Sequence, residues 1–429
     1  MKQLLFITYF WPPSGKATLH WPLKIIKHLP ENNWQPIVLT TDEDTFTQKD
    51  FSLLNDVDPN LRVYKSKAFE PFDIYRKFIG KKPDEKLIAS ETISTTNRSL
   101  THKISVWIRM NFFIPDARVG WNLSAVKAGK QIVNENKIDA IVSIGPPHSS
   151  HLIGRKLSRK FNIPFVPILI DPWVDIIYYR GFKRSKPTLC IDNRLEKSVL
   201  EGSTHTIFIT ESMREDYINK YNFIKNKSSV LYWGYNEDDF ESISQTIFSK
   251  KSKVLEKETH KTLVHAGNIF DYQNPENLWK TIRKKNDTGD KFKIKFLGTI
   301  GPAIKKSIEQ NGLSKITEYI GFLPYKEMLL ELSKADYLLV CATEKRHVPG
   351  KLFEYLRTGK PIIAFGQDNE EVNKIFQEAN AGVLFKYNED VSRFFELAET
   401  FKTDYNSVKQ YDRKIISQNL TEILNKVVK

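Results

Sequence analysis

Two stretches carry side chains whose types and spacing fit phosphate chemistry. The sharper is ATEKRHVPGKLFEYLRTGKPIIAF (342–365). It reads as a strand end, then a loop holding Arg346, His347, Val348, Pro349, Gly350 and Lys351, then a helix. A helix start offers a diphosphate its free N–H groups and its dipole, and a lysine in the first turn adds a charge of the same sign. Glu354, one turn on, is spaced to accept hydrogen bonds from ribose hydroxyls, a contact that separates a nucleotide from a bare phosphate. The plain alternative is an ordinary strand–helix crossover with a solvated Lys–Glu pair. The second stretch is PPSGKA (12–17). It is no nucleoside-triphosphate loop: that sequence needs Gly five positions before the second Gly and Ser or Thr after the Lys, and Phe10 and Ala17 stand there. What remains is a strand from Leu4 to Tyr9, a tight turn, and a helix with Leu19, Leu23, Ile26 and Leu29 at helical spacing. Such a unit leaves N–H groups facing a crevice.

The surrounding elements must position these groups. PIVLTT (36–41), DAIVSIG (139–145), PFVPILI (164–170) and HTIFIT (205–210) read as strands of a first half. TLVHAG (262–267), FKIKFLG (292–298), ADYLLVCA (335–342) and KPIIAFG (360–366) read as strands of a second, with helical segments between. Strands alternating with helices imply parallel sheets and crossover helices. The turn-rich SSVLYWGYNEDDF (228–240) separates the two runs. The expectation is two doubly wound, Rossmann-like α/β domains, 1–234 and 235–405, followed by a terminal helix in 406–429; 429 residues suit two domains of roughly 200 each. Ligands of open α/β sheets bind at the carboxyl ends of the strands. Loops 10–16, 145–151, 171–175, 267–274, 298–302, 321–325 and 343–351 are therefore expected around one cleft.

The formal charge is +14, with most of the excess in residues 62–130 and 155–197. A nucleic acid or an anionic membrane surface would suit such a face. Residues 62–113 interleave Phe69, Phe72, Tyr75, Phe78, Trp107, Phe112 and Phe113 with Lys and Arg, the composition of an interfacial element on anionic lipid. Nucleic acid rests on charge alone and is not expected. Cys190 and Cys341, the two cysteines, sit far apart, which argues for a reducing compartment and against disulfides or a zinc site. No apolar run approaches the ~20 residues that span a bilayer, and MKQLLFITYFWPP lacks a small-residue cleavage site. A cytoplasmic protein, peripheral on the inner face of the cell membrane, is the expectation.

HVPGKLFEYLRTGKPIIAF resembles the signature of family-4 retaining glycosyltransferases of the GT-B fold. FITYFWPPSGKA with WQPIVLTT, PDARVGW (115–121), DAIVSIGPPHSSHLIG (139–154), IDPW (170–173) and LVHAGNI (263–269) are similar to the family in the same order. The likeness covers nearly the whole chain apart from 42–110, and points to the branch making cell-surface polysaccharide or lipid-linked glycans. It implies transfer of a sugar from a nucleotide-diphosphate donor to a hydroxyl of a glycan or lipid-linked acceptor, with retained anomeric configuration, no metal, and no cofactor beyond the nucleotide-sugar co-substrate.

The resemblance also implies roles for single residues. Gly15 and Lys16 would approach the donor phosphate and the acceptor. Glu354 corresponds to the second glutamate of the family's E-x7-E pattern, which binds the donor ribose. Arg346 stands where the first glutamate belongs, with Glu344 out of register, so Arg346 is expected on phosphate. The family's Arg/Lys pair after the first strand of the second domain is absent: Asn268 follows Gly267, and the next lysine is Lys280. The donor side would then comprise Gly267, Asn268, Gly298, Thr299, Phe322, Arg346, Val348, Pro349, Gly350, Lys351 and Glu354. On the acceptor side, Asp171 of IDPW occupies a position that is often His in the family, and Ile170 replaces the Arg of close patterns. Asp171 would orient the acceptor hydroxyl or take its proton; otherwise it merely starts a turn. His148 is a second catalytic candidate, while His151 packs or caps locally. No carboxylate or Cys at ligand spacing accompanies the two histidines, no D-x-D metal motif occurs, and DED (42–44) follows an early strand. Competing readings are a nucleotide-sugar 2-epimerase of the same fold and a non-catalytic nucleotide-sugar-binding scaffold.

Overall fold

The computed structural model describes residues 1–69, 100–176, 183–250 and 260–428. Phe72, Tyr75, Phe78 and the rest of the basic-aromatic stretch up to residue 99 lie outside the described residues. The chain forms two compact units: Met1–Tyr232 with Ser417–Lys429, and Trp233–Ile416.

The first unit carries β1 (Lys2–Ile7), β2 (Trp34–Thr41), β3 (Arg62–Ser66), β4 (Ala140–Gly145), β5 (Phe165–Leu169), β6 (Thr206–Phe208) and β7 (Ser228–Val230). They pair in parallel in the order β3-β2-β1-β4-β5-β6-β7. The most apolar segments take the middle: Leu4, Leu5, Phe6 and Ile7 of β1 and Ile141 and Val142 of β4 are fully buried, as strands covered on both faces must be. The mixed RVYKS goes to an edge. The helix Ser149–Phe161 buries Ile153 and Leu157 against the core of Leu5, Ile7, Ile141 and Phe165.

The second unit carries β8 (Lys261–Ala266), β9 (Phe292–Leu297), β10 (Thr317–Tyr319), β11 (Tyr337–Cys341), β12 (Ile362–Phe365) and β13 (Gly382–Phe385), all parallel, in the order β10-β9-β8-β11-β12-β13. Both sheets follow the doubly wound order, with its reversal between β1 and β4 and again between β8 and β11. A ligand crevice opens at such a reversal, beyond the carboxyl ends of the strands.

Three local expectations change. SSVLYWGYNEDDF is not merely a separator: Ser228–Val230 adds the edge strand β7, and a helix, Glu237–Lys250, starts within it. Glu237, Asp238 and Asp239 fill that helix's first turn, where acids suit the dipole; the strand is too short for periodicity to show. SVWIRMNFFIPD is largely helix, Leu100–Phe112. The terminal helix is two helices, Tyr405–Lys409 and Arg413–Val427. Within the first unit, Ser417 Oγ donates to Ile25 O at 3.0 Å, and Asn425 Oδ1 accepts from Lys2 Nζ (3.3 Å) and Trp34 Nε1 (3.2 Å). Among the described residues no helix is long and apolar enough to cross a membrane. Both cysteines are free thiols.

Candidate functional site

In the second unit the reversal point joins the loops after β8 and β11. Gly267 ends β8 with φ +96°, and a Cβ there would stand 2.7 Å from Lys351 Nζ. The lysine amine therefore lies over the end of β8, in space only glycine leaves. Gly298, after β9, has φ +144°, and its Cβ would meet Gly267 O at 2.3 Å, so the two loops touch backbone to backbone. Asn268 Oδ1 accepts from Thr299 N at 3.3 Å, and Ile269 N donates to Thr299 O at 3.0 Å.

Lys351 opens the helix Lys351–Thr358, whose start no side chain caps. Its Nζ stands 3.5 Å from His265 Nε2, while His265 Nδ1 is 2.9 Å from Leu339 O. A carbonyl only accepts, so the contact to Leu339 O places a proton on Nδ1, and the Asn268 backbone is a further hydrogen-bond partner of the ring. Burial holds His265 well below the usual histidine range, hence neutral, and burial lowers Lys351 to about 8. Among the described residues no carboxylate pairs with Lys351. A half-buried ammonium facing a neutral ring, at an uncapped helix start, is electrostatically poised for an anion. The helix Pro302–Gln310 differs, because Asp271 Oδ1 accepts from Ala303 N at 2.9 Å and closes that start.

Glu354 lies one turn into the Lys351 helix and is buried. Its Oε1 accepts from Tyr325 OH at 3.1 Å and faces Arg413 Nη2 at 3.7 Å. Burial raises its pKa; Arg413, Tyr325 and Lys351 work against that rise. The remaining donor-side candidates divide by exposure. Phe322 is 81% exposed and Arg346, Asn268 and Thr299 are exposed, whereas Val348 and Pro349 turn their side chains inward and could serve a ligand only through backbone. Asn369, fully buried, pins their loop by donating from Nδ2 to Glu344 O and His347 O, both at 3.0 Å.

In the first unit the loops after β1, β4 and β5 gather. Gly15 N donates to Gln48 O at 2.9 Å, so that amide is committed within the loop. Lys16 is half-buried, and burial together with the Arg118 charge lowers its pKa. Asp171 follows β5, and burial raises it to about 6. The turn behind it is fastened from two helices, Lys186–Glu201 and Glu211–Lys220. Trp173 Nε1 donates to Asp192 Oδ1 at 2.7 Å, Trp173 N to Tyr217 OH at 2.8 Å, and Tyr217 OH to Glu196 Oε2 at 2.8 Å.

His148, the second catalytic candidate, is buried. It is 4% exposed, its ring stacks on Trp173 at 5.0 Å and 9°, and burial lowers it to about 3. The ring packs beneath the Asp171 turn, against Trp173. His151 is fully buried, with Nδ1 2.8 Å from Ser143 Oγ. Neither histidine caps the helix Ser149–Phe161. Asp116 does so from PDARVGW, accepting from Ser149 N at 2.8 Å and Ser149 Oγ at 3.0 Å. Among the described residues no group of three or more His, Cys, Asp or Glu is placed to hold a metal ion.

Residues missed from the sequence are His265, Tyr325, Asn369 and Arg413 in the second unit and Asp116 in the first. Asp116 lay within PDARVGW and His265 within LVHAGNI, Tyr325 ends the expected loop 321–325, and none of them was singled out; Asn369 and Arg413 are single residues that no spacing marks.

Residues 247–418, a stretch lying almost wholly in the second unit, match the family described as "Glycosyl transferases group 1". A probable glycosyltransferase of Pseudomonas aeruginosa, WbjE, is 25% identical over 162 residues; the match spans 37% of this chain and 40% of that relative's length. Among solved structures, sucrose-phosphate synthase from Thermosynechococcus elongatus aligns over 100% of this chain and 99% of its own at 12% identity, TM-score 0.62. The Anabaena protein HepE in complex with UDP and glucose aligns over 99% and 100% at 13% identity, TM-score 0.60. UDP-GlcNAc 2-epimerase from Methanocaldococcus jannaschii aligns over 99% and 100% at 16% identity, TM-score 0.55. At these identities the likeness establishes the fold, two Rossmann-like units of the GT-B kind.

Proposed function

We propose that the protein is a retaining glycosyltransferase that moves a sugar from a nucleotide-diphosphate sugar to a hydroxyl of a glycan or lipid-linked glycan, without a metal ion. The observation that carries this reading is Lys351: a half-buried ammonium with no carboxylate at ion-pair distance among the described residues, at an uncapped helix start, with Glu354 one turn further on, in the stretch that matches the glycosyltransferase family. HepE, of the same fold, is a complex with UDP and glucose, which supports a nucleotide-sugar donor.

In the reaction the bond from the anomeric carbon to the diphosphate breaks, and its electron pair leaves with the phosphate oxygen. The acceptor oxygen forms the new bond on the same face, and its proton passes to the departing phosphate or to Asp171. The developing diphosphate charge is the main thing to stabilise, and the helix dipole and Lys351 supply fixed positive potential for it. Arg346 adds an exposed charge on the same loop, taking the place of the first glutamate of the E-x7-E pattern. Gly15 and Lys16 serve the acceptor side, with Lys16 contributing its charge. The first unit's exposed Phe69, Ile104, Trp107 and Phe112, set in a basic chain, suit attachment to an anionic membrane surface.

Thermal shifts with UDP, GDP, ADP and dTDP sugars identify the donor, since a ligand that binds only the folded state adds about 2.7 kcal/mol at a hundredfold excess over Kd. Acceptor-dependent release of the nucleoside diphosphate, with a product heavier by one sugar, is the expected result, and Lys351→Ala should abolish it. The epimerase reading, which shares the fold, instead requires nucleotide release or sugar isomerisation with no acceptor present. A scaffold would bind the donor and turn over nothing.

A further inference from the structure

We infer that Arg413 and Tyr325 are positioning residues that hold one oxygen of Glu354 and leave the other for the hydroxyls of a bound ribose. This rests on the nucleotide-sugar reading of Glu354 given above. Both side-chain contacts of the carboxylate fall on Oε1, from Tyr325 OH at 3.1 Å and Arg413 Nη2 at 3.7 Å, beside a hydrogen bond from the residue's own backbone N–H. At 3.7 Å the guanidinium is beyond a good hydrogen bond and acts as a charge, while the tyrosine hydroxyl fixes direction.

Arg413 is itself anchored. It is 1% exposed, with Nε donating to Trp233 O at 3.2 Å and Nη2 to Gly234 O at 3.0 Å. The Trp233 ring lies against the start of the Lys351 helix, since a Cβ on Gly350 would stand 2.7 Å from it. The segment Trp233–Gly234 is thus tied both to the helix start that receives the diphosphate and to the guanidinium that faces Glu354. One anchored group sets the spacing between phosphate and ribose contacts. A carboxylate buried this deeply would gain a proton more readily without a cation nearby, and a protonated Glu354 accepts poorly from a diol. Arg413 therefore keeps the group ionised and Tyr325 keeps it oriented.

The test compares nucleoside diphosphates with their 2′,3′-dideoxy forms, as UDP, GDP and ADP pairs, by calorimetry. The proteins are the parent, Tyr325→Phe, Arg413→Lys and Arg413→Met, each checked for folding by circular dichroism. The parent should prefer the ribo form of its cognate base by roughly tenfold to a hundredfold, the range of a hydrogen bond to a charged group. Tyr325→Phe and Arg413→Met should narrow that preference to under about threefold by weakening the ribo form alone, with Arg413→Lys intermediate. Tyr325→Phe removes only a hydroxyl and carries the test if Arg413→Met does not fold. The inference is overturned if folded variants keep the full preference, or if they lose affinity for both forms equally, as a purely structural role requires. No preference in the parent, with the diphosphates still bound, overturns the role of Glu354 itself and this inference with it.

Discussion

Lys351 is lowered to about 8 by burial, and this sets how binding couples to protons. Below about 8 the amine is charged and ready for a diphosphate. Above it the free protein has lost the proton, and a bound diphosphate draws one back by raising the amine's pKa. Calorimetry in buffers of different ionisation enthalpy should therefore register net proton uptake on donor binding at pH 8.5, and little at pH 6.5. For Asp171 the sign is opposite. Its folded pKa of about 6 stands above the ordinary 3.8, so folding favours the protonated acid, and the residue costs stability as pH rises through that window. Asp171→Asn should melt higher than the parent at pH 7, with the advantage fading toward pH 4. If the carboxylate receives the acceptor proton, the parent's rate should fall below about pH 6, and the variant's rate should be low throughout. Lys351, Glu354 and Asp171 were legible because they stand in dense, ordered motifs. Tyr325 and Arg413 were not, because they reach the site from elements outside those motifs, and His265, though inside LVHAGNI, has no spacing that marks it.

At the scale of elements, the two glycine loops after β8 and β9 carry the most specific demand. Gly298 combines a positive φ with a backbone approach to Gly267 that any side chain would block. Gly298→Ala should destabilise the second unit by about 1–3 kcal/mol, the cost of a strained backbone residue, and weaken donor binding, because Gly267 must shift from beneath Lys351. Denaturant unfolding, together with donor titration, reads both. Gly289 has a φ of +112° with nothing within 4 Å of an added Cβ, so Gly289→Ala is the control that feels the backbone strain and leaves donor affinity unchanged. The central strands were plain in the sequence, since LLFI is apolar throughout and AIVSIG is broken by a single polar side chain, Ser143. The edge strand β7 was hidden, because three residues, Ser228–Val230, give no period and pairing to β6 alone defines them.

Across the whole molecule the two sheets repeat one strand order, and that repetition is what the alternation of strand and helix signals in each half expressed. Charge and aromatics belong to this scale too. Trp107 and Phe112 are exposed, with rings 5.9 Å apart, on a helix of the basic half of the chain. The protein should sediment with vesicles rich in phosphatidylserine and not with phosphatidylcholine alone, and should do so less as salt rises. Trp107→Ala with Phe112→Ala should reduce that binding without moving donor affinity. Equal sedimentation with both vesicle types would remove the membrane from the proposal.

The first unit is assembled from two distant lengths of chain, Met1–Tyr232 and Ser417–Lys429, with the second unit's sequence lying between them. On a ribosome the hydroxyl of Ser417 and the amide of Asn425 therefore emerge after every residue of the second unit, and until then Ile25 O, Lys2 and Trp34 wait for the partners described above. Translation thus delivers the first unit in an unfinished form, and its completion is timed by the appearance of Ser417–Lys429.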